Sequence, residues 1–272
     1  MNPDHLPPLD VDGVRRDLTG PGRPLREVEV LESTGSTNAD LLARHTAGGD
    51  IRGVVLIAEH QSAGRGRHGR RWTAPPRTQI AFSVGVDAAG VPAPEWGWLP
   101  LLTGVAAADA VEATTGIAPV LKWPNDILVG DGKLGGILAE VASPDPVIVV
   151  GLGLNVTLTG SDIADVAPDA ISLLMLGSTM TDRSALLGSV LAELSARIDR
   201  WRLTAGHDPA LARDYRARSS TLGTRVRAEL PGGRVIEGTA TDVDDLGQLV
   251  IGTEAGDVAV SAGDITHLRA GD

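Results

Sequence analysis

The chain has 272 residues, of which 42% are hydrophobic, and its formal net charge is −11. This length allows one large core, or one core with a small additional domain. The chain has no cysteine, which excludes disulfides, thiolate metal sites and a cysteine nucleophile. The negative charge argues against a broad nucleic-acid surface, because each phosphate contact needs a Lys or Arg.

The first 25 residues contain several prolines and glycines and show no hydrophobic period, so we expect residues 1–25 to be a flexible tail. They lack the basic start and apolar stretch of a secretory signal. The longest apolar run, 147–156, is too short to span a membrane. We therefore expect a cytoplasmic protein that does not bind membranes.

Hydrophobic periodicity predicts alternating strands and helices along the rest of the chain. Thr37 or Asn38 is a candidate N-cap for a helix that follows directly, and Gly116 closes a later one. Strands are predicted at 27–31, 54–57, 80–86, 120–123, 127–129, 136–141 and 147–150, and long helices at 99–115, 182–203 and 209–218.

The residue pattern changes after Thr221, where short strand-like segments separated by glycines predict a small all-β unit. We place a domain boundary near Ser220. The expected division is a tail over 1–25, a main domain over 26–220 and a small barrel over 221–272.

A basic glycine-rich segment, QSAGRGRHGRRW, runs from Gln61 to Trp72. Its glycines allow close backbone approach, and converging guanidinium groups bind phosphate or carboxylate oxygens. A solvated basic loop is the simpler alternative. The segment also fits the dinucleotide pattern G-x-G-x-x-G, but the RWTAPP that follows does not begin the required helix. The context therefore argues against a dinucleotide-binding domain.

A second group of segments reads KWPNDILV at 122–129, KLGGIL at 133–138 and GLGLN at 151–155. Asn125 and Asp126 are ordinary turn residues if no ligand is involved. Lys133, however, precedes an apolar, glycine-rich stretch, where a bound anion would explain it. The Asn155 amide offers both a donor and an acceptor, which suits the edge of a purine.

These segments, together with STN at 36–38, occur in an order that resembles the biotin–protein ligases. The resemblance implies an α+β fold: a mixed sheet flanked by helices, like the catalytic domain of class II aminoacyl-tRNA synthetases, followed by a small C-terminal SH3-like β-barrel. It also implies a two-step reaction. Biotin and ATP give biotinyl-5′-AMP and pyrophosphate, and a lysine of a carrier protein then attacks the acyl carbon.

The resemblance also assigns residues to the biotin site. Short hydroxyl and amide side chains would surround the ureido ring. The basic glycine-rich segment 61–72, the arginine loop, would lie beside the tail and the phosphate. The biotin-binding residues implied are Ser36, Thr37, Asn38, Gln61, Gly64, Arg65, Gly66, Arg67 and Lys133.

On the nucleotide side, the resemblance implies that Lys133 contacts both the biotin carboxylate and the α-phosphate. Asp126 is a candidate orienting group or base, so the expected catalytic residues are Lys133, Arg67 and Asp126. Mg²⁺ is expected to be held through the ATP phosphates rather than by a protein metal site. The residues expected to bind ATP and the adenylate are Arg67, Arg70, Asn125, Lys133 and Asn155.

The expected partner is the biotin carboxyl carrier domain of a biotin-dependent carboxylase. Some members of this family carry an N-terminal DNA-binding domain; only about 25 residues precede the first predicted strand here, so we expect a ligase that does not bind DNA. A lipoate–protein ligase is the nearest alternative, although GRGR and KWPND favour biotin. A nucleic-acid-binding protein that uses the arginine loop is a remote alternative.

Overall fold

The computed structural model describes residues 6–20, 22–162, 166–230, 232–261 and 264–267. Within these residues the chain forms two β-sheets and five α-helices. The helices are α1 (Asp12–Leu18), α2 (Thr37–Thr46), α3 (Trp98–Thr115), α4 (Arg183–Leu203) and α5 (Pro209–Arg218). The strands of the first sheet are β1 (Glu27–Leu31), β2 (Val54–Ala58), β3 (Gln79–Asp87), β4 (Val120–Lys122), β5 (Asp126–Val129), β6 (Gly132–Val141) and β7 (Val147–Asn155).

The first sheet has the strand order β1-β2-β3-β7-β6-β5-β4. The pair β1–β2 is parallel and the other pairs are antiparallel, which makes the sheet mixed. Alternate side chains of a strand point to opposite faces. Leu56 and Val149 pack with Leu41 of α2, whereas Val55 and Val150 belong to the core that contains α3 and α4. Helices therefore cover both faces, and the predicted α+β architecture is confirmed.

Helix α3 is apolar on nearly all sides, as expected for a helix inside a core. It ends at Gly116, whose φ of +74° is left-handed, as the sequence predicted. Among the described residues, no helix combines the length and apolarity needed to cross a bilayer.

Strands β6 and β7 are longer than predicted, because glycines weakened the strand signal at KLGG and GLGLN. The two stretches pair with each other, with Gly135 opposite Leu154 and Gly136 opposite Gly153. The N-cap of α2 also differs from the expectation: it is Ser36, whose hydroxyl accepts from the Ala39 amide at 3.5 Å. The side chains of Thr37 and Asn38 therefore make other contacts.

The prediction of a flexible tail over 1–25 is wrong for the described residues 6–20 and 22–25. Helix α1 forms there, and Leu9, Val11 and Val14 are buried in the main core. These apolar residues lie among prolines and acidic residues, and they do not form a regular period. Their burial depends on contacts with distant parts of the chain, which no local pattern reveals.

The second sheet is antiparallel and contains β8 (Arg225–Glu229), β9 (Val235–Val243), β10 (Leu249–Thr253), β11 (Gly256–Val260) and β12 (Asp264–His267), in the order β11-β10-β9-β8-β12. Its SH3-like topology and the boundary near Ser220 stay predictions. The sheet attaches to the rest through tryptophans: the indole N–H groups of Trp98 and Trp123 donate to the carbonyls of Asp245 and Gly247, at 2.6 and 3.1 Å.

Candidate active site

One cavity of about 260 Å³ opens at the centre of the first sheet. It collects side chains from α2, the arginine loop, the turn before β5, and strands β6 and β7, which lie far apart in the sequence. Of the predicted site residues, it is lined by Ser36, Thr37, Asn38, Gln61, Arg65, Gly66, Arg67, Arg70, Asn125, Asp126, Lys133 and Asn155.

Gly64 is the predicted site residue that does not line this cavity. Its importance is steric, because a Cβ at this position would overlap the carbonyl oxygen of Trp72. The absence of a side chain lets the two arms of the arginine loop approach each other. The Trp72 amide donates to the Gly64 carbonyl at 2.9 Å, and the Gly66 amide donates to the Arg70 carbonyl at 2.7 Å.

The arginine loop is therefore a narrow hairpin with a short turn at Arg67–Gly69. No helix follows it, so the dinucleotide-binding interpretation fails on the structure as it did on the sequence. Arg67 points toward the turn before β5, where a guanidinium N–H donates to Asn125 Oδ1 at 3.4 Å. The Asn125 amide nitrogen in turn donates to the Ile137 carbonyl at 3.0 Å. This contact holds the arginine loop beside β6.

Lys133 and Asp126 form an ion pair with an Nζ–Oδ1 distance of 2.6 Å, and about a quarter of each side chain is exposed. The two residues come from adjacent strands, and Lys133 Nζ also lies 5.9 Å from the ring centroid of Trp72. The ammonium group therefore borders the cavity with a carboxylate on one side and an aromatic ring on the other. A ligand anion would compete with Asp126 for this charge.

Asn155 ends β7 with a buried side chain. Its amide nitrogen donates to the carbonyls of Ile171 and Lys133, at 3.1 and 3.4 Å. Its Oδ1 is buried and has no hydrogen-bond partner among the described residues. A buried, unpaired acceptor is costly, and a donor on a bound ligand would relieve that cost. The assignment of Asn155 to the nucleotide side stays a prediction.

Thr37, Asn38 and Gln61, three of the residues predicted to bind biotin, are buried and are linked by hydrogen bonds that include Ser83 on β3. The Thr37 amide donates to Gln61 Oε1 at 2.9 Å, and the hydroxyl groups of Thr37 and Ser83 lie 2.6 Å apart. The Ser83 hydroxyl donates to Asn38 Oδ1 at 2.5 Å. The sequence did not single out Ser83, because a serine inside an apolar strand has no distinctive pattern.

Trp72 also lines the cavity, although the sequence did not single it out as a site residue. Its ring lies against β7, where a Cβ on Gly153 would overlap it, and 3.3 Å from where a Cβ of Gly136 would be. Its indole N–H donates to Gln79 Oε1 at 2.6 Å. The sequence signal for this contact is the pair Gly136 and Gly153, which leaves space for the ring. The two glycines are seen to face each other only when the register of β6 and β7 is known.

The fold and the cavity together define a class of enzyme. Residues 30–155 match the Biotin/lipoate A/B protein ligase family, and residues 221–268 match the Biotin protein ligase C terminal domain. Over 97% of its length, and of the relative's, the chain is 53% identical to the biotin--[acetyl-CoA-carboxylase] ligase of Mycobacterium tuberculosis. The chain therefore belongs to the biotin/lipoate protein ligase family, and the predicted resemblance is confirmed.

Two more distant matches are also ligases. The chain is 32% identical to the bifunctional ligase/repressor BirA of Bacillus subtilis, a match that covers 90% of this chain and 74% of that protein. The solved structure of a biotin protein ligase from Aquifex aeolicus in complex with biotin and ATP superposes with a TM-score of 0.75. That match has 25% identity and covers 90% of this chain and all of the other.

Proposed function

We propose that this chain activates biotin with ATP and transfers the biotinyl group to a lysine of a biotin carboxyl carrier domain. Ligase activity on biotin follows from the close similarity to the mycobacterial enzyme over nearly the whole chain. The observation that carries the chemistry is the convergence of Lys133 and four loop arginines on one cavity, beside the hydroxyl and amide groups of Thr37, Asn38 and Gln61.

The first step brings two anions together. A biotin carboxylate oxygen attacks the α-phosphorus of ATP, and pyrophosphate leaves. At a separation of about 4 Å, two unit charges repel or attract by roughly 4 kcal/mol at an effective dielectric of 20. The positive charges of Lys133 and Arg67 would offset the repulsion and the negative charge that develops on the phosphoryl group. Mg²⁺ usually binds through substrate phosphates, and we expect it to enter with ATP.

The second step needs a neutral amine from the carrier. Its nitrogen attacks the acyl carbon of biotinyl-5′-AMP, AMP leaves, and the amine gives up a proton. Asp126 is the candidate base or orienting group, since its carboxylate lines the cavity next to Lys133. Binding of an anion to Lys133 would loosen the ion pair and make the Asp126 carboxylate available.

Substitution of Lys133 by Ala tests this assignment, and the chain supplies a matched control. The only two lysines are Lys122 and Lys133, and Lys122 does not line the cavity. We expect Lys133→Ala to lose biotin-dependent pyrophosphate release by at least about a hundredfold, because a charge-assisted contact is worth about 1.5–3 kcal/mol and more in a shielded site. Lys122→Ala should retain the rate, and circular dichroism should show both variants folded.

Normal pyrophosphate release by Lys133→Ala would remove the assigned role. The same assay distinguishes the related substrate class, since a lipoate ligase would release pyrophosphate with lipoate and not with biotin. The expectation that the chain does not bind DNA stays a prediction, and a gel-shift assay at low salt with operator DNA checks it.

A further inference from the structure

Glu140 connects two parts of the candidate site without lining the main cavity itself. It lies on β6, and its Oε2 accepts from Asn38 Nδ2 at 2.8 Å and from an Arg65 guanidinium N–H at 2.9 Å. An ionised carboxylate only accepts hydrogen bonds. Glu140 therefore determines which end of the Asn38 amide faces it.

The amide of Asn38 has one possible orientation in this setting. Its nitrogen faces two acceptors, Glu140 and the carbonyl oxygen of Leu138 at 3.2 Å, and the reversed amide would place oxygen against both. Its Oδ1 therefore points toward Ser83 and accepts the Ser83 proton. Gly151 leaves space for this contact, because a Cβ there would overlap Asn38 Oδ1.

The direction of the next hydrogen bond follows from proton counting. Ser83 has one hydroxyl proton, which it donates to Asn38, so the 2.6 Å contact with Thr37 requires Thr37 to donate. The Thr37 hydroxyl also lies 3.2 Å from Gln61 Oε1, but its single proton serves the shorter contact. Gln61 Oε1 still accepts from the Thr37 amide. The Thr37 hydroxyl oxygen keeps lone pairs that can accept a further hydrogen bond, and Thr37 lines the cavity.

We propose that Glu140 and Ser83 are positioning residues that fix the direction of the hydrogen-bond chain Glu140–Asn38–Ser83–Thr37, so that Thr37 accepts a hydrogen bond from the ligand. The identity of the ligand rests on the proposed function. The ureido ring of biotin has two N–H donors, and one of them satisfies the Thr37 oxygen. A ligand with an acceptor at that position meets lone pairs instead, so the chain selects for an N–H.

Two carbamate analogues of biotin, in which a ring oxygen replaces one or the other ureido N–H, test the proposal. We expect calorimetry on the full wild-type chain to show at least about a hundredfold weaker binding for one of them, since polar sites reject analogues that lack their donor. Glu140→Gln can donate to Asn38 and so allow its amide and the Ser83 hydroxyl to reverse. We expect the discrimination to fall about tenfold or more in this variant.

Ser83→Ala provides a second route, because it interrupts the chain and leaves the Glu140–Asn38 contact. It should also reduce the discrimination between biotin and the carbamate analogue. This variant tests the proposal even if Glu140→Gln fails to fold. The matched control is Glu29→Gln. Glu29 is also an ion-paired carboxylate on a strand, 28% exposed against 27% for Glu140, but its partner is Arg44, and neither lines the cavity. This control should keep the wild-type ratio of biotin affinity to analogue affinity.

A purely structural role predicts a different result. The affinities for biotin and for both analogues would fall by the same factor, and the ratio of the biotin affinity to each analogue affinity would not change. That result in Ser83→Ala, or a wild-type chain that does not discriminate between biotin and either analogue, would overturn the proposal. Failure of the wild type to bind biotin would refute the proposed function instead, and it would be seen before any variant is compared.

Discussion

At the scale of single residues, two cations of the site come from different elements. Lys133 on β6 is ion-paired with Asp126 at 2.6 Å, and an Arg67 guanidinium N–H in the arginine loop donates to Asn125 Oδ1 at 3.4 Å, which is long for a hydrogen bond. A phosphate that binds Lys133 must compete with the Asp126 carboxylate. We expect Lys133 to stabilise the charge that develops during the reaction, and Arg67 to help retain the adenylate.

Substitution of Arg67 by Gly should let biotinyl-5′-AMP escape. The loss of a charge-assisted hydrogen bond costs about 1.5–3 kcal/mol, which corresponds to dissociation faster by about ten- to a hundredfold. Chase experiments with labelled adenylate measure this rate, and acylation of free amines in solution should increase. Arg234→Gly, in the exposed turn before β9, is the control. An unchanged dissociation rate in Arg67→Gly would falsify the assigned role.

The residues of the candidate site differ in how far the sequence reveals them. Arg65, Arg67 and Lys133 lie in short motifs whose order along the chain is distinctive, so they could be predicted. Glu140 and Trp72 could not be, because their contacts depend on the register of β6 and β7 and on where the arginine loop folds back. A glutamate at the end of a strand looks like any solvated charge.

At the scale of elements, the N-terminal segment is tied to the sheet by a buried ion pair. Arg183, at the start of α4, and Glu59, at the end of β2, are 5% and 2% exposed and 2.6 Å apart. Each also bonds the N-terminal segment: Arg183 donates to the Pro7 carbonyl at 2.6 Å, and Glu59 accepts from the Leu9 amide. Arg183 also donates to the carbonyl of Gln79, whose side chain accepts from the Trp72 indole at the site.

Removal of Arg183 should destabilise the protein strongly, because it leaves the Glu59 carboxylate buried and unpaired. We expect Arg183→Met to lower the free energy of unfolding by about 3–5 kcal/mol. Arg202→Met is the comparison: its ion pair with Asp87 is exposed, at 41% and 24%, and such pairs contribute about 0–1 kcal/mol. Urea denaturation measures both. Equal, small effects would show that the N-terminal segment is not held by this pair.

The elements that the sequence predicted well are those whose pattern is local. Helix α4 repeats its apolar residues every three or four positions, and Asp182 caps it through the amides of Ser184 and Ala185. The glycine-rich halves of β6 and β7 and the N-terminal helix depend on partners elsewhere in the chain. Tertiary pairing overrides weak local preference in these segments.

At the scale of the whole molecule, the second sheet supports the turn that carries Asn125 and Asp126. The Trp123 amide donates to Thr221 Oγ1 at 3.0 Å, and its indole N–H donates to the Gly247 carbonyl. His267 Nε2 on β12 lies 3.3 Å from the same Thr221 hydroxyl. Trp123, just before the site turn, is therefore bonded to the β9–β10 turn and to Thr221, which in turn contacts β12. Arg269, near the end of the predicted barrel, is a candidate nucleotide contact by the family resemblance, but it lies outside the described residues.

His267 gives this contact between the sheets a pH dependence. Burial lowers the pKa of His267 below its ordinary value of 6.5, and the positive charge of Lys122 lowers it further. Between the two values the unfolded chain binds more protons than the folded one, so stability increases with pH there. The stabilisation from neutral His267 is complete above about pH 6.5 and decreases as the pH falls toward the folded-state pKa.

Replacement of His267 by Gln removes the titrating group and leaves a side chain that can still bond Thr221. As the pH falls below about 6.5, the wild type should lose unfolding free energy relative to His267→Gln. Urea denaturation at several pH values measures both proteins. His207→Gln, at an exposed position before α5, provides the control for loss of a histidine. A difference that stays constant with pH would show that His267 does not titrate within this contact, and the link between Thr221 and the site turn would then be insensitive to pH.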